Sequence, residues 1–219
     1  ITGGIVSGGF NVLAENNVLD GCYGAAISQK ETYSTIPGSG YVITAKNNII
    51  TNTRFPSAGG GGYGVYNLLT GTHSFVLQNN CFFNNTGGDC EGAQALPSNI
   101  EVSPEYANRS KNDYHLKSKA GRWNGSIWIN DTISSACIDA GDKSSDYSAE
   151  PEDNGNRINI GAYGNTKYAS KSGNSTNNYI VAPNFTEIQV SINKSGQCDP
   201  AIYLGRVVWN ENRNGNSDI

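Results

Sequence analysis

The amino-acid sequence predicts an all-β solenoid, in which short strands and tight turns repeat and stack, and three observations support it. First, a stretch of alternating apolar residues runs into two asparagines and emerges apolar again three times, at 12–19, 43–50 and 75–82. Second, the flanking positions repeat with it. Counted from the first asparagine, position −4 reads Val12, Ile43 and Phe75, position −2 reads Ala14, Ala45 and Leu77, and position −1 reads Glu15, Lys46 and Gln78. Third, 27 glycines, no methionine and 16% charged residues suit a turn-dense β structure rather than helices. A strand, a turn and a second strand cannot bury an apolar face alone, so the copies must stack.

A period of two puts the −4 and −2 columns inside and the −1 column outside, where Glu15 stands beside Lys46. Asparagine tolerates the left-handed backbone of a tight turn, and in a stack each amide can donate to one copy and accept from another. A weaker column precedes each repeat, at Gly4-Ile5-Val6, Gly24-Ala25-Ala26-Ile27 and Gly64-Val65-Tyr66, so each coil has at least two short strands. Successive copies lie 31 and 32 residues apart. The excess over shorter solenoid repeats falls in insertions at 28–40 and 53–62, loops of the kind that line binding faces. Residues 86–120 are less regular, and 123–129 read as strand-like. The segment Ser135-Ala136-Cys137-Ile138-Asp139-Ala140-Gly141-Asp142, continued by 157–164, is the expected C-terminal cap, because an open solenoid end exposes apolar surface and strand edges. Residues 165–182, rich in Ser, Asn, Gly and Lys, read as a linker, and 199–219 as a short β-hairpin-like tail.

A formal charge of −4 without a basic stripe argues against a nucleic-acid partner. No apolar run is long enough to span a bilayer, and Ile1 does not begin a signal peptide, so the chain reads as the interior of a longer precursor with other domains. Seven Asn-x-Ser/Thr sequons permit a secreted or cell-surface location. Of five cysteines, Cys81 is expected inside the solenoid, and Cys22 and Cys90 fall near one corner where a bridge between loops can form. No Cys-x-x-Cys spacing supports zinc.

The Asn-Asn repeats, the loop Gly59-Gly60-Gly61-Gly62-Tyr63-Gly64-Val65-Tyr66-Asn67 and the stretch 70–85 resemble the disaggregatase-related domain of methanogenic archaea. Cys137-Ile138-Asp139-Ala140-Gly141-Asp142 followed by Ile160-Gly161-Ala162-Tyr163 is similar to the closing motif of many right-handed parallel β-helix surface proteins. Residues 199–219 resemble the start of a blade in TolB-like propellers. The resemblance implies a right-handed, pectin-lyase-like parallel β-helix, a single-stranded solenoid, over 1–168 with its cap, a linker over 169–198 and a partial propeller-like blade over 199–219. It also implies action on a cell-envelope heteropolysaccharide of uronic acid and amino sugar. The domain also occurs in surface proteins whose activity is unknown.

Glycoside hydrolysis needs two carboxyls about 5–9.5 Å apart, and neighbouring rungs can supply that spacing. The residues that follow the Asn-Asn repeats enter one edge. They bring Asp20, Asp89 and Glu91 together as candidate catalytic carboxyls, with Tyr23, Arg54 and Tyr63 as substrate-binding residues. Solvated loop charges without chemistry are the alternative. A uronate lyase would instead use Lys46 or His73 as base, although Lys46 has Glu15 beside it and His73 sits in a turn; His115 reads as structural. Asp139, Asp142, Asp146 and Asp153 suit calcium or the bonding of turn backbone, their spacing matches no known calcium loop, and no cofactor is required. Three readings follow: a polysaccharide-depolymerising glycosidase, a non-catalytic carbohydrate-binding or structural envelope protein, and a lyase.

Overall fold

The computed structural model describes residues 4–7, 11–29, 41–55, 61–67 and 74–173, together with the backbones of 197–203, 206–213 and 216–218. The chain divides into two compact units, Ile1–Asn177 and Asn178–Ile219. Much of both insertions, and His73, lie outside the described residues.

The first unit is a parallel β-solenoid of four coils. Each of the first three coils has three strands. They are β1 (Ile5–Ser7), β2 (Val12–Glu15) and β3 (Val18–Asp20), then β4 (Ala25–Gln29), β5 (Val42–Lys46) and β6 (Ile49–Thr51), then β7 (Tyr63–Asn67), β8 (Ser74–Gln78) and β9 (Cys81–Phe83). The fourth coil consists of β10 (Gly88–Glu91), a single bridge from Ala95 to Leu77, and β11 (Ile100–Glu101). Strands stack in the orders β1-β4-β7-β10, β2-β5-β8 and β3-β6-β9-β11, all in parallel. The register is the one the repeat predicts: Val12 pairs with Ile43 and Ile43 with Phe75, and all three pack on the inner core with Ala14, Ala45 and Leu77. Lys46 Nζ lies 3.1 Å from Glu15 on the outside.

The two asparagines of each repeat divide the work. The first, Asn16, Asn47 or Asn79, takes a left-handed φ of 53–57° and turns the chain. The second builds the ladder: Asn17 Nδ2 donates to Asn48 Oδ1, Asn48 Nδ2 to Asn80 Oδ1 and Asn80 Nδ2 to Asn99 Oδ1, each at 2.9 Å. Each of these Oδ1 atoms also accepts the backbone N–H of the asparagine before it. The ladder thus reaches a fourth rung, 19 residues after the third. A second left-handed column, Gly21, Asn52 and Asn84, turns the chain from the third sheet toward the first.

The expected cap is elsewhere. Segment 135–164 does not lie over the open end; it runs along the side of the solenoid against the Asn corner and the outer face of the third sheet. Gly141 N donates to Ile158 O, Asp142 N to Asn47 Oδ1, Gly161 N to Asn47 O and Asn79 Nδ2 to Ala140 O. Within the third sheet, Leu19, Ile50 and Phe82 face the inner core, so the alternate residues Val18, Ile49 and Cys81 face outward. Ile100, Leu116, Cys137, Ile138 and Ile160 cover that face and make a second core. A Cβ on Gly141 would stand 2.4 Å from Ile158 Cγ2, and one on Gly161 2.7 Å from Ile49 Cδ1. That close approach is why the closing motif carries glycine at both points.

Cys81 is therefore buried, but in this outer core rather than inside the solenoid. Among the described residues Cys22 and Cys90 are free and form no bridge, and Cys81 and Cys137 are free as well. Two short hairpins complete the unit. β12 (Tyr106–Asn108) and β13 (Asp113–Leu116) are joined by the 3-10 turn Arg109–Lys111, and β14 (Arg122–Trp123) pairs with β15 (Trp128–Ile129). Residues 169–173, the start of the expected linker, pack into this unit, with Ala169 fully buried and Lys171 N bonded to Gly121 O. The second unit, described by its backbone alone, is an antiparallel meander of β16 (Gln197–Tyr203), β17 (Arg206–Arg213) and β18 (Asn216–Asp218).

Candidate functional site

The edge where the third sheet turns into the first gathers most of the predicted residues. Tyr23 and Arg54 form a parallel bridge, with Gly24 N bonded to Arg54 O and Arg54 N to Cys22 O, so their backbones stack on consecutive coils. The Tyr23 ring lies 5.8 Å from Phe55, whose ring packs on Gly61. Two residues later Tyr63 stacks on Tyr66 at 5.3 Å and lies over Gly88, next to Asp89. Tyr23 and Phe55 are 41% and 38% exposed, a surface a flat apolar face can occupy. Among the described residues the Arg54 guanidinium makes no ion pair.

The three predicted carboxyls differ in kind. Asp20 stands at the end of β3, with its side chain only 6% exposed, and accepts four bonds: from Arg109 Nε (2.7 Å), Asn52 Nδ2 (2.7 Å), Thr51 Oγ1 (2.9 Å) and Tyr114 Oη (3.0 Å). Burial opposes its ionisation, yet these four bonds together hold its pKa below the ordinary carboxylate value. With every lone pair engaged, Asp20 fastens the β12–β13 hairpin to the solenoid. Glu91 is exposed at the end of β10, where it pairs with Tyr66 through the backbone.

Asp89 is half-buried and accepts Asn85 Nδ2 at 3.2 Å. Its second neighbour was not found from the sequence: Glu101 of β11, whose carboxyl is close enough to act on it. Burial first, and then Glu101, raise the Asp89 pKa. Both acids lie on the terminal coil. Glu101 pairs with the core residue Phe82, and the neighbouring Cys90 thiol is pushed up to about 12 by burial and the two carboxylates. The signal for this pair was the lone Asn99, which places Ile100 and Glu101 in register with Cys81 and Phe82.

The remaining candidates have other partners. Lys46 is held by Glu15 and by Asp142 at 3.5 Å, and His115 Nδ1 is 2.7 Å from Asp113 Oδ1 while its ring stacks on Tyr163. Asp142 and Asp146 accept the backbone N–H of Ser144 and Ser148 in turns. A second pair of acids lies inside the flanking segment. Burial pushes Asp139 up to about 6 against the pull of Ser172 and Arg157, and pushes Glu150 up to about 7 although its Oε1 accepts the N–H groups of Asn159 and Asn165. Asp139 Oδ1 and Glu150 Oε2 are buried without partners, which favours their protonated forms. Among the described residues no three metal-type ligands converge.

Compared with known proteins, residues 1–141 match the family described as "Disaggregatase related". No curated protein and no solved structure matches the chain.

Proposed function

The chain belongs to the disaggregatase-related family, and from that membership we propose a secreted or cell-surface module that depolymerises a cell-envelope heteropolysaccharide by glycosidic hydrolysis. In this reading the solenoid winds right-handed in the pectin-lyase manner, the C-terminal meander begins a propeller blade, and other domains of a longer precursor complete the protein. The observation that carries it is the Asp89–Glu101 pair beside an exposed edge of Tyr23, Phe55, Tyr63 and Arg54. Asp89, the more buried acid, whose pKa burial raises, serves as the acid toward the leaving glycosidic oxygen, and Glu101 as the base toward the attacking water. The tyrosines stack on sugar rings and Arg54 binds a uronate carboxylate. No cofactor is needed for this chemistry.

One observation favours a second reading. Asp89 and Glu101 adjoin closely enough to act on each other's ionisation, whereas a pair that activates water between its carboxyls keeps them about 6.5–9.5 Å apart. Such a pair can simply share a proton at the end of a stack, in a module that binds carbohydrate without cleaving it. Incubation with purified envelope polysaccharide separates the readings. New reducing ends without unsaturated-uronate absorbance mark hydrolysis, both signals together mark a lyase, and neither marks the binding module. Under hydrolysis D89N and E101Q should each lower the rate by about a hundredfold or more, with the fold kept. Unchanged rates in both variants would remove the pair from the mechanism.

A further inference from the structure

The β14–β15 hairpin and the segment that returns beside it carry an aromatic surface that none of the foregoing uses. Trp123 and Trp128 are directly opposite each other across the ladder, 5.7 Å apart and edge to face, and Tyr168 lies 5.7 Å from Trp123. The opposite face of the hairpin is fastened to the body. There Arg122, with a side chain 10% exposed, lies 3.8 Å from Asp113 of β13 and grips Asp131, just past β15, through Nε to Oδ2 at 2.9 Å and Nη2 to Oδ1 at 3.0 Å, while Asp131 Oδ2 accepts the Ser118 N–H. With one face held, alternation puts both tryptophans on the other face, Trp123 half-buried against Tyr168 and Trp128 at the rim. Trp128 is 36% and Tyr168 38% exposed.

Two cations attend these rings. Lys171 Nζ lies 5.1 Å from the Trp128 ring centre and Lys167 Nζ 5.0 Å from that of Tyr168, and among the described residues neither ammonium makes an ion pair. The backbone beneath them is anchored: Lys171 N donates to Gly121 O, the Ser118 hydroxyl donates to Lys171 O, and Ala169 is fully buried between the two lysines. The platform is thus held in place before any ligand arrives, which lowers the cost of binding. A cation over an exposed ring is held only weakly, so each lysine can leave its ring for a carboxylate.

We propose that Trp123, Trp128 and Tyr168, with Lys167 and Lys171, form a second saccharide-binding surface, for a uronate-bearing polysaccharide chain, built from elements other than those of the Asp89 edge. The rings take the C–H faces of the sugars and the ammoniums take the uronate carboxylates. The charge match selects this occupant: a neutral glycan would use the rings and leave both cations idle. The ligand class rests on the polysaccharide reading of the family; the position of the surface does not.

Unsulfated chondroitin, a polymer of uronic acid and amino sugar, is the probe, with carboxyl-reduced chondroitin as its neutral counterpart. Binding to the full chain is followed by affinity electrophoresis and tryptophan quenching, in the D89N background if the parent cleaves the probe. The W128A/Y168A pair should bind about tenfold more weakly. The K167Q/K171Q pair should bind several-fold more weakly and lose most of its salt dependence, as should the parent with the neutral polymer. Should W128A/Y168A fail to fold, judged by its urea midpoint, the lysine variants decide alone. The proposal is overturned if the parent does not bind chondroitin, if folded variants bind as the parent does, or if the neutral polymer binds equally well. Binding that needs the platform, with no reducing ends released, would refute hydrolysis and leave this surface standing.

Discussion

At the scale of single residues the second asparagine of each repeat does most to hold the stack. Asn48 is fully buried. Its Oδ1 takes the N–H and the amide of Asn17, and its Nδ2 donates to Ala14 O and Asn80 Oδ1. Asn48→Ala orphans several buried groups at once and should cost about 3 kcal/mol or more, read as a lower urea midpoint at constant slope. Asn17→Ala, at the partly exposed end of the ladder, should cost about 1 kcal/mol. Equal losses would mean that the ladder has no depth dependence. Glu150 gives the pH signature. Its folded pKa of about 7 exceeds the ordinary value near 4.5, and Asp139 beside it is raised as well, with Arg157 the facing cation. The folded state then holds more protons than the unfolded one. Stability from these groups is full below about pH 4 and is lost as pH rises through 7. Asp20, Asp131 and Asp142, lowered in the fold, act oppositely: their contribution is present above about pH 4 and fades below it. The melting temperature should therefore peak near pH 5 and fall by about 5 °C toward pH 8. Glu150→Gln should remove most of that fall; a fall that survives it would place the effect in other groups.

At the scale of elements, the question is what fixes the pieces outside the coils. The β12–β13 hairpin docks through Arg109 and Tyr114 on Asp20 and through Tyr106 on Thr51. Asp20→Ala should cost about 2–4 kcal/mol, because a buried carboxylate with four donors disappears, and should speed amide exchange in 106–116 while that in β5 and β8 stays slow. Uniform acceleration throughout the unit would show that the hairpin does not open separately. The inner columns were legible in the sequence because Val12, Ile43 and Phe75 alternate with polar neighbours at a fixed distance from Asn-Asn. The fourth rung was not, since Asn99 stands alone and its coil is only 19 residues from the third. That omission hid Glu101, and with it the partner of Asp89. The side-on position of 135–164 was missed for a related reason. β3, β6 and β9 are apolar at successive positions, as in Ile49-Ile50 and Cys81-Phe82, which is how a parallel strand buried on both faces reads. Periodicity was assigned to one face only, so the flank was sent to the end.

At the scale of the whole first unit, the flank determines where function can lie. It covers the Asn corner and the outer face of the third sheet, and leaves open the opposite edge, where Tyr23 and Phe55 are exposed. It also returns to the β14–β15 hairpin and supplies Tyr168 and Lys171 to the aromatic surface there. Ile158 and Ile160, each 1% exposed, lie beyond residue 141, where the family match ends. Burial of each contributes about 1.5–3 kcal/mol, and Gly161 N also bonds Asn47 O on the Asn corner. A chain ended at 141 keeps Leu116, Cys137 and Ile138 but loses Ile160, so it should leave Val18, Ile49 and Cys81 partly uncovered, bind an apolar dye and melt well below a chain ended at 173, which retains Ala169 and the Lys171 contacts. If the two melted together with no dye bound, the solenoid would be self-sufficient and the outer core mere decoration. The opposite result makes the flank a structural part of every coil it touches, and means that the ladder, however regular, builds a stable unit only when its outward apolar column is covered.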